Sequence, residues 1–281
     1  MEHNRHIILR TAVCLCLVAL VCACSNESVS YKKAEQSYAI GEYYTAAIHY
    51  KKSYSRTPPK EKAKRAVRAF KMGECYRRIG YTQKAIAAYT SAIRYKTTDS
   101  LAYLHLARQQ LKAGQYKQAA LNFNQYLEFD PGNELARSGL LSCELAPQWK
   151  AKPNQYTVKK EAIFNSRRSD YSPMLVGDDA DQLVLSSTRN DATGDDISGV
   201  TGLKFGDLFF SRKNEQGKWQ PVGVIEGDVN TEYDEGASCL SPDGKTMYFT
   251  RCSSDPDYPR YAEIWKSTRN PPSCRRRCPI W

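Results

Sequence analysis

Histidine is scarce in this chain. Of 281 residues, only His3, His6, His49 and His105 carry an imidazole, which leaves little from which to build a general base or a zinc centre. No HExxH, no GxSxG elbow and no glycine-rich phosphate loop occurs. The acidic clusters Asp178-Asp179-Ala180-Asp181 and Asp195-Asp196 lack the rest of a calcium-loop spacing and read as solvated turns. Cys274 and Cys278 would make half a metal site, with no second pair to complete it. A clustered aromatic-plus-basic nucleic-acid motif is missing as well. These absences predict a chain that is not an enzyme and that uses no metal, cofactor or nucleic acid.

Long apolar runs are also lacking. The run TAVCLCLVALV, Thr11 to Val21, follows Arg5 and Arg10. At about 1.5 Å per residue it is too short for a ~30 Å hydrocarbon core, but it suits the apolar region of a signal peptide. The next residues, Val21-Cys22-Ala23-Cys24, resemble the lipobox of bacterial lipoproteins, in which a small residue precedes the acylated cysteine. The resemblance implies a signal peptide over 1–23, lipid on Cys24 and a membrane-tethered protein outside the cytoplasm.

Charge is unevenly distributed. Residues 27–150 hold 21 Lys+Arg against 10 Asp+Glu, whereas residues 151–281 hold 18 against 19. The basic half suits a solvated helical surface or an acidic partner. An exported chain tolerates disulfides, and Cys239 and Cys252 flank one hairpin closely enough to raise a bridge between them. Cys75 and Cys143 lie two repeat periods apart and read as buried apolar fillers.

Self-comparison of the first half gives a period of about 34 residues. Gly80, Ala85 and Tyr89 recur as Gly114, Ala119 and Phe123, and an earlier copy holds Gly41, Ala46 and Tyr50. Glycine at a tight turn adopts φ > 0 without steric cost, the alanines let helices approach, and the aromatic residues fill the gaps between units. Asp130-Pro131-Gly132 closes the third unit, and Asn133–Leu145 supplies a capping helix. The pattern resembles the tetratricopeptide repeat (TPR), departing from it at Gln110 and Thr97. The resemblance implies a helical solenoid over 24–146 whose first helices line a protein-binding groove. On this sequence that groove would comprise Tyr31, Glu35, Tyr38, Phe70, Glu74, Arg77, Leu104 and Arg108.

After a Pro-containing linker at 147–165 the apolar period changes from 3.6 to 2. Strands are expected at Gln182–Thr188, Asp207–Ser211, Trp219–Ile225, Gly236–Leu240, Thr246–Arg251 and Glu263–Ser267. LVLSSTR, from Leu183, reappears as KTMYFTR from Lys245, and DLFFS, from Asp207, as EIWKS from Glu263. A four-strand unit therefore occurs twice, with an insertion near Asn190–Lys204. Ser241-Pro242-Asp243-Gly244 has the residues of a tight turn. The SPDG-K-x-hydrophobic-Tyr-Phe pattern resembles the WD40-like PD40 propeller repeat, which implies β-propeller blades over 166–269. Closure takes about four to eight blades, so the propeller is expected to be partial, and the Arg- and Cys-rich tail 270–281 reads as aberrant, the mark of a truncated or frameshifted product.

The fold class expected is therefore multidomain: an all-α TPR solenoid followed by an all-β, partial WD40-like propeller. The order of lipobox, helical repeats and PD40 blades resembles the OmpA-family lipoproteins of the type IX secretion system. That resemblance implies a lipid-anchored scaffold on the periplasmic face of the outer membrane, with envelope or secretion-system proteins as partners. Peptidoglycan would be bound only through a C-terminal domain that this sequence does not reach. A fragment of a propeller-containing hydrolase and a generic lipid-anchored binding protein are the alternatives.

Overall fold

The computed structural model describes residues 29–177, 179–252 and 262–268. Cys24 with the leader before it, and the tail 270–281 with Cys274 and Cys278, lie outside the described residues. The chain divides into two compact units, one running to Tyr156 and one from Thr157, with Gly199–Thr201 counted with the first.

The first unit is helical. Helix α1 covers 29–39, followed by α2 (Tyr43–Arg56), α3 (Lys62–Arg78), α4 (Thr82–Arg94), α5 (Leu101–Lys112), α6 (Tyr116–Leu127) and α7 (Glu134–Ala151). Helices α1/α2, α3/α4 and α5/α6 form hairpins. Their turns pass through Gly41, Gly80 and Gly114 at φ +83°, +75° and +74°, a region that penalises any Cβ. Ala46, Ala85 and Ala119, with Tyr50, Tyr89 and Phe123, are all fully buried. The first half is thus a tetratricopeptide-like array of helix pairs.

Close approach sets the spacing within this array. A Cβ added to Gly73 of α3 would come within 2.7 Å of the Tyr89 ring, and Gly139 of α7 meets the Phe123 ring at least as closely. Helix α7 begins with a side-chain cap, the Asn133 carbonyl oxygen accepting from the Ala136 N–H at 3.0 Å. It then runs on through Pro147 to Ala151, into the stretch read from the sequence as linker.

The second unit contains two antiparallel sheets. The first has the order β1 (Asp170–Val176), β2 (Gln182–Ser187), β3 (Asp207–Arg212) and β4 (Gly223–Val224). The second has β5 (Asp234–Leu240), β6 (Thr246–Cys252) and β7 (Glu263–Thr268). Both sheets are small and open, and no closed propeller occurs among the described residues. Strand β1 went unrecognised in the sequence because Pro173 interrupts its pattern, yet an edge strand tolerates proline. The segment expected as a strand over Trp219–Ile225 forms a strand only at Gly223–Val224, with an isolated bridge from Trp219 to Lys213. Val184, Leu208 and Phe210 of the first sheet pack with Met247 and Phe249 of the second. Leu183, Leu185 and Phe209, on the opposite face, pack with Phe164 and Trp219.

The two sheets repeat an ionic staple. Ser166 donates its N–H and O–H to Asp170 at 2.6 and 2.9 Å, and Arg189 Nη2 donates to Asp170 at 2.9 Å and to the Phe164 carbonyl at 2.9 Å. Thr231 likewise donates to Glu235 at 3.0 and 2.6 Å; Arg251 donates to Glu235 at 2.7 Å and to the Val229 carbonyl at 3.0 Å. Each guanidinium also lies over an aromatic ring of the third strand, Phe209 at 4.7 Å and Trp265 at 4.4 Å. Ser172 and Ala237 sit at irregularities of β1 and β5 with φ +50° and +26°. The sheets are therefore two copies of one unit at the level of charge, bulge and stacking.

The bridge raised between Cys239 and Cys252 is not made. Cys239 stands opposite Tyr248 and Cys252 opposite Asp234, so the two lie four positions apart along the ladder. At ~3.3 Å per residue that is about 13 Å, beyond what a disulfide spans. Cys239 and the buried Cys75 and Cys143 are free thiols.

Candidate protein-interaction surface

Three of the expected groove residues share one face of α1. Tyr31, Glu35 and Tyr38 follow at spacings of four and three, which puts them on one helical stripe. Tyr50 of α2 donates its hydroxyl to Glu35 at 2.5 Å and meets Tyr31 edge-on at 5.8 Å. Burial first, then the Glu35 hydrogen bond, drives the Tyr50 phenol well above its ordinary range.

Cations from α3 reach the same face. The Arg68 guanidinium lies 5.1 Å from the Tyr31 ring, and Lys71 Nζ lies 5.2 Å from Tyr38. Arg78 lies 5.5 Å from Tyr38 and 5.1 Å from Tyr43. Lys71 and Glu35 are 3.8 Å apart, a loose pair at a part-exposed site and worth little. Arg68 is buried and bonds Ser53 at 2.7 Å, so the tyrosines with Lys71 and Arg78 make the part-exposed aromatic and basic patch, a chemistry enriched at interface anchors. Lys71, Arg78 and Arg68 were not among the sequence candidates. The repeat pattern marks which helix lines the groove but not which long side chains lean across to the neighbouring helix.

Glu74, Arg77 and Phe70 of α3 form a second group. Glu74 is buried and accepts from Arg77 Nη2 at 2.6 Å and from the Tyr89 hydroxyl at 2.5 Å, with His105 Nδ1 2.6 Å away. His105 also stacks on Phe70 at 6.5 Å. Burial alone would raise the Glu74 carboxyl. The hydrogen bonds from His105, Arg77 and Tyr89 outweigh it and hold the group far below the usual carboxylate range. One carboxylate therefore joins α3, α4 and α5. His105 was missed as a partner because its place in the chain after Glu74 is out of step with the repeat.

The remaining two candidates separate. Leu104 is buried in the apolar cluster of Ala107, Ala119 and Phe123. Arg108 is exposed and makes no ion pair among the described residues. No group of three or more His, Cys, Asp or Glu that could hold a metal occurs among the described residues, and no described helix is long and apolar enough to cross a membrane.

No family model matches the sequence, and no curated protein matches it. Among solved structures, the chain is similar to the first TPR domain of Spaghetti (RPAP3), bound to the HSP90 peptide SRMEEVD. That match has 18% identity and a TM-score of 0.38, covering 44% of this chain and 94% of that one. It is also similar to the Arabidopsis OM64 TPR domain (19% identity, TM-score 0.37, 42% of this chain and 93% of that one). A third is the Sgt2 TPR domain from Aspergillus fumigatus (18%, 0.37, 48% and 90%). Similarity at this level carries nothing about ligand or partner.

Proposed function

We propose that this chain is a non-enzymatic protein-interaction scaffold, tethered by lipid on Cys24 to the periplasmic face of the outer membrane and acting as an accessory component of the type IX secretion system. The observation that carries the interaction role is the patch that Tyr31, Tyr38 and Tyr43 make with Lys71 and Arg78 across α1, α2 and α3. Aromatic rings and arginine together give large contact area at low ordering cost. The tether is supported by Val21-Cys22-Ala23-Cys24, and the secretion assignment by the order of lipobox, helical repeats and PD40-like segments. The open sheets would offer a second surface to envelope or secretion-system partners.

The test is a photo-crosslinking amino acid placed at Tyr38 in cells, with the exposed Leu121 of α6 as the control position. Crosslinks from Tyr38 to an outer-membrane secretion component, absent from Leu121, are expected. Equal labelling from both positions overturns the interaction role. Intact mass of the membrane-extracted protein checks the tether: a species beginning at Cys24 with added acyl mass is expected, and a soluble species keeping residues 1–23 removes it.

A further inference from the structure

The two sheets are copies of one unit, so each shows what the other needs in order to fold. Ser166 matches Thr231, Asp170 matches Glu235 and Arg189 matches Arg251. The loop before each first strand is bent by the same bond. The Arg168 N–H donates to the Ser166 hydroxyl at 3.0 Å, and the Tyr233 N–H to the Thr231 hydroxyl at 3.2 Å. The residues inside that bend differ: they are Arg167 and Arg168 in the first copy, Glu232 and Tyr233 in the second. The staple closes around either pair, so the fold requires neither arginine.

What the arginines add is a recess with a cationic wall. Ser166, Arg167, Arg168, Arg189, Asn190 and Asp191 line an open cavity of about 560 Å³, a size common among small-molecule sites. Arg189 is fixed in place by Asp170, by the Phe164 carbonyl and by the Ser187 hydroxyl, which accepts from its Nε at 3.0 Å. Arg168 Nε donates to Asn190 Oδ1 at 3.4 Å. Arg167 has no hydrogen-bond or ion-pair partner among the described residues. Asp170 neutralises Arg189 at 2.9 Å, and Asp191 alone stands against the other two cations. Positive charge is therefore in excess here, in a half of the chain that otherwise balances, with 18 Lys+Arg against 19 Asp+Glu over residues 151–281.

We infer that this recess binds a phosphate ester, with Arg167 and Arg168 donating to its oxygens. Guanidinium forks match oxyanions bidentately. Arg167 offers all five of its N–H donors and Arg168 all but the one given to Asn190, more than the two oxygens of a carboxylate accept. A terminal phosphate presents three strong acceptor oxygens and the greater charge. The cavity is roomier than a bare phosphate needs, so the group is carried on a larger molecule, either a soluble ester or a lipid headgroup. The site lies within the sheet unit and does not draw on the tyrosine patch of the helical array.

The experiment is isothermal titration calorimetry of the full chain in a neutral non-ionic detergent, with glycerol 3-phosphate, micelles doped with phosphatidic acid, and succinate as probes. Glycerol 3-phosphate is expected to bind saturably. Arg167→Glu with Arg168→Tyr, the pair that the second copy carries, should weaken it at least about tenfold at an unchanged melting temperature, since charge-assisted hydrogen bonds are lost and the staple is kept. Arg167→Gln, at an exposed position outside the staple, should weaken it in part. Binding of phosphatidic acid alone, lost in the same double variant, upholds the site and assigns the ester to a lipid headgroup. Succinate bound as tightly as glycerol 3-phosphate overturns the phosphate assignment. Failure of both phosphate probes to bind overturns the inference, as does binding that neither variant moves.

Discussion

His105 Nδ1 lies 2.6 Å from Glu74 Oε1, so a histidine–carboxylate contact joins α5 to α3 inside the helical array. The same carboxylate holds Arg77 and the Tyr89 hydroxyl. Its folded-state pKa lies below its ordinary value of 4.5, so ionised Glu74 contributes stability that is fully present above about pH 4.5. That contribution is lost as pH falls through 4.5 toward the depressed value. The melting temperature of the protein is therefore expected to fall on the acid side of pH 4.5. Glu74→Gln should flatten that acid limb while lowering stability at neutral pH, because Arg77 and His105 lose a buried partner. Thermal melts across pH 3–7 on both proteins check this, and parallel curves would refute it.

Gly73→Ala tests close packing against helix propensity. In an exposed helix, alanine in place of glycine stabilises by about 1 kcal/mol. Here the new Cβ would sit within 2.7 Å of a ring that is fully buried and held at its far end by Glu74. Overpacking of this kind costs about 1–3 kcal/mol, so the net effect expected is destabilisation, seen as a lower denaturation midpoint in urea. A midpoint that rises would mean the Tyr89 ring moves aside freely.

Glu235 is fully buried and its guanidinium partner is Arg251. Arg251→Met leaves that carboxylate without its cation, and removing one partner of a buried pair costs roughly 3–5 kcal/mol. Arg251→Met with Glu235→Gln should recover part of the loss. Unfolding monitored by tryptophan fluorescence reports it through Trp219 and Trp265, which lie in the sheet unit. Equal losses in the single and double variants would contradict the staple.

The cysteines should separate by reactivity. Burial first, and the nearby Glu74 charge second, push the Cys75 thiol up to about 12, and burial raises Cys143 as well. The thiolate is the reactive form, so alkylation of the folded protein at pH 8 is expected to label the exposed Cys239 and to spare Cys75 and Cys143 until denaturant is added. Peptide mapping after mild oxidation should find no peptide joining Cys239 to Cys252. Rapid native labelling of Cys75 would mean that the helix pairs open readily.

Much of the helical half could be read directly from the residues. A glycine, an alanine and an aromatic residue recurring at fixed spacing encode local requirements: a positive φ, a close approach and a filled gap. Each holds whatever else the chain does. The strands with alternating apolar residues were legible for the same reason, as was the return of LVLSSTR as KTMYFTR and of DLFFS as EIWKS. Leu104 was placed in the groove by its repeat position, but its side chain is taken into the core between α5 and α6, where apolar burial outweighs exposure.

Tertiary structure alone decided which polar side chains meet across elements. Glu74 with His105, Asp170 with Arg189 and Glu235 with Arg251 each pair residues whose separation along the chain follows no helical or strand period. Electrostatic pairing depends on distance through space and on burial, which the order of residues does not carry. Register likewise decided that Cys239 and Cys252 stay apart, because a ladder offset of four positions exceeds what two sulfur atoms can bridge. Sequence therefore determined the local elements and their repetition, while the fold set the long-range partners of the buried polar groups.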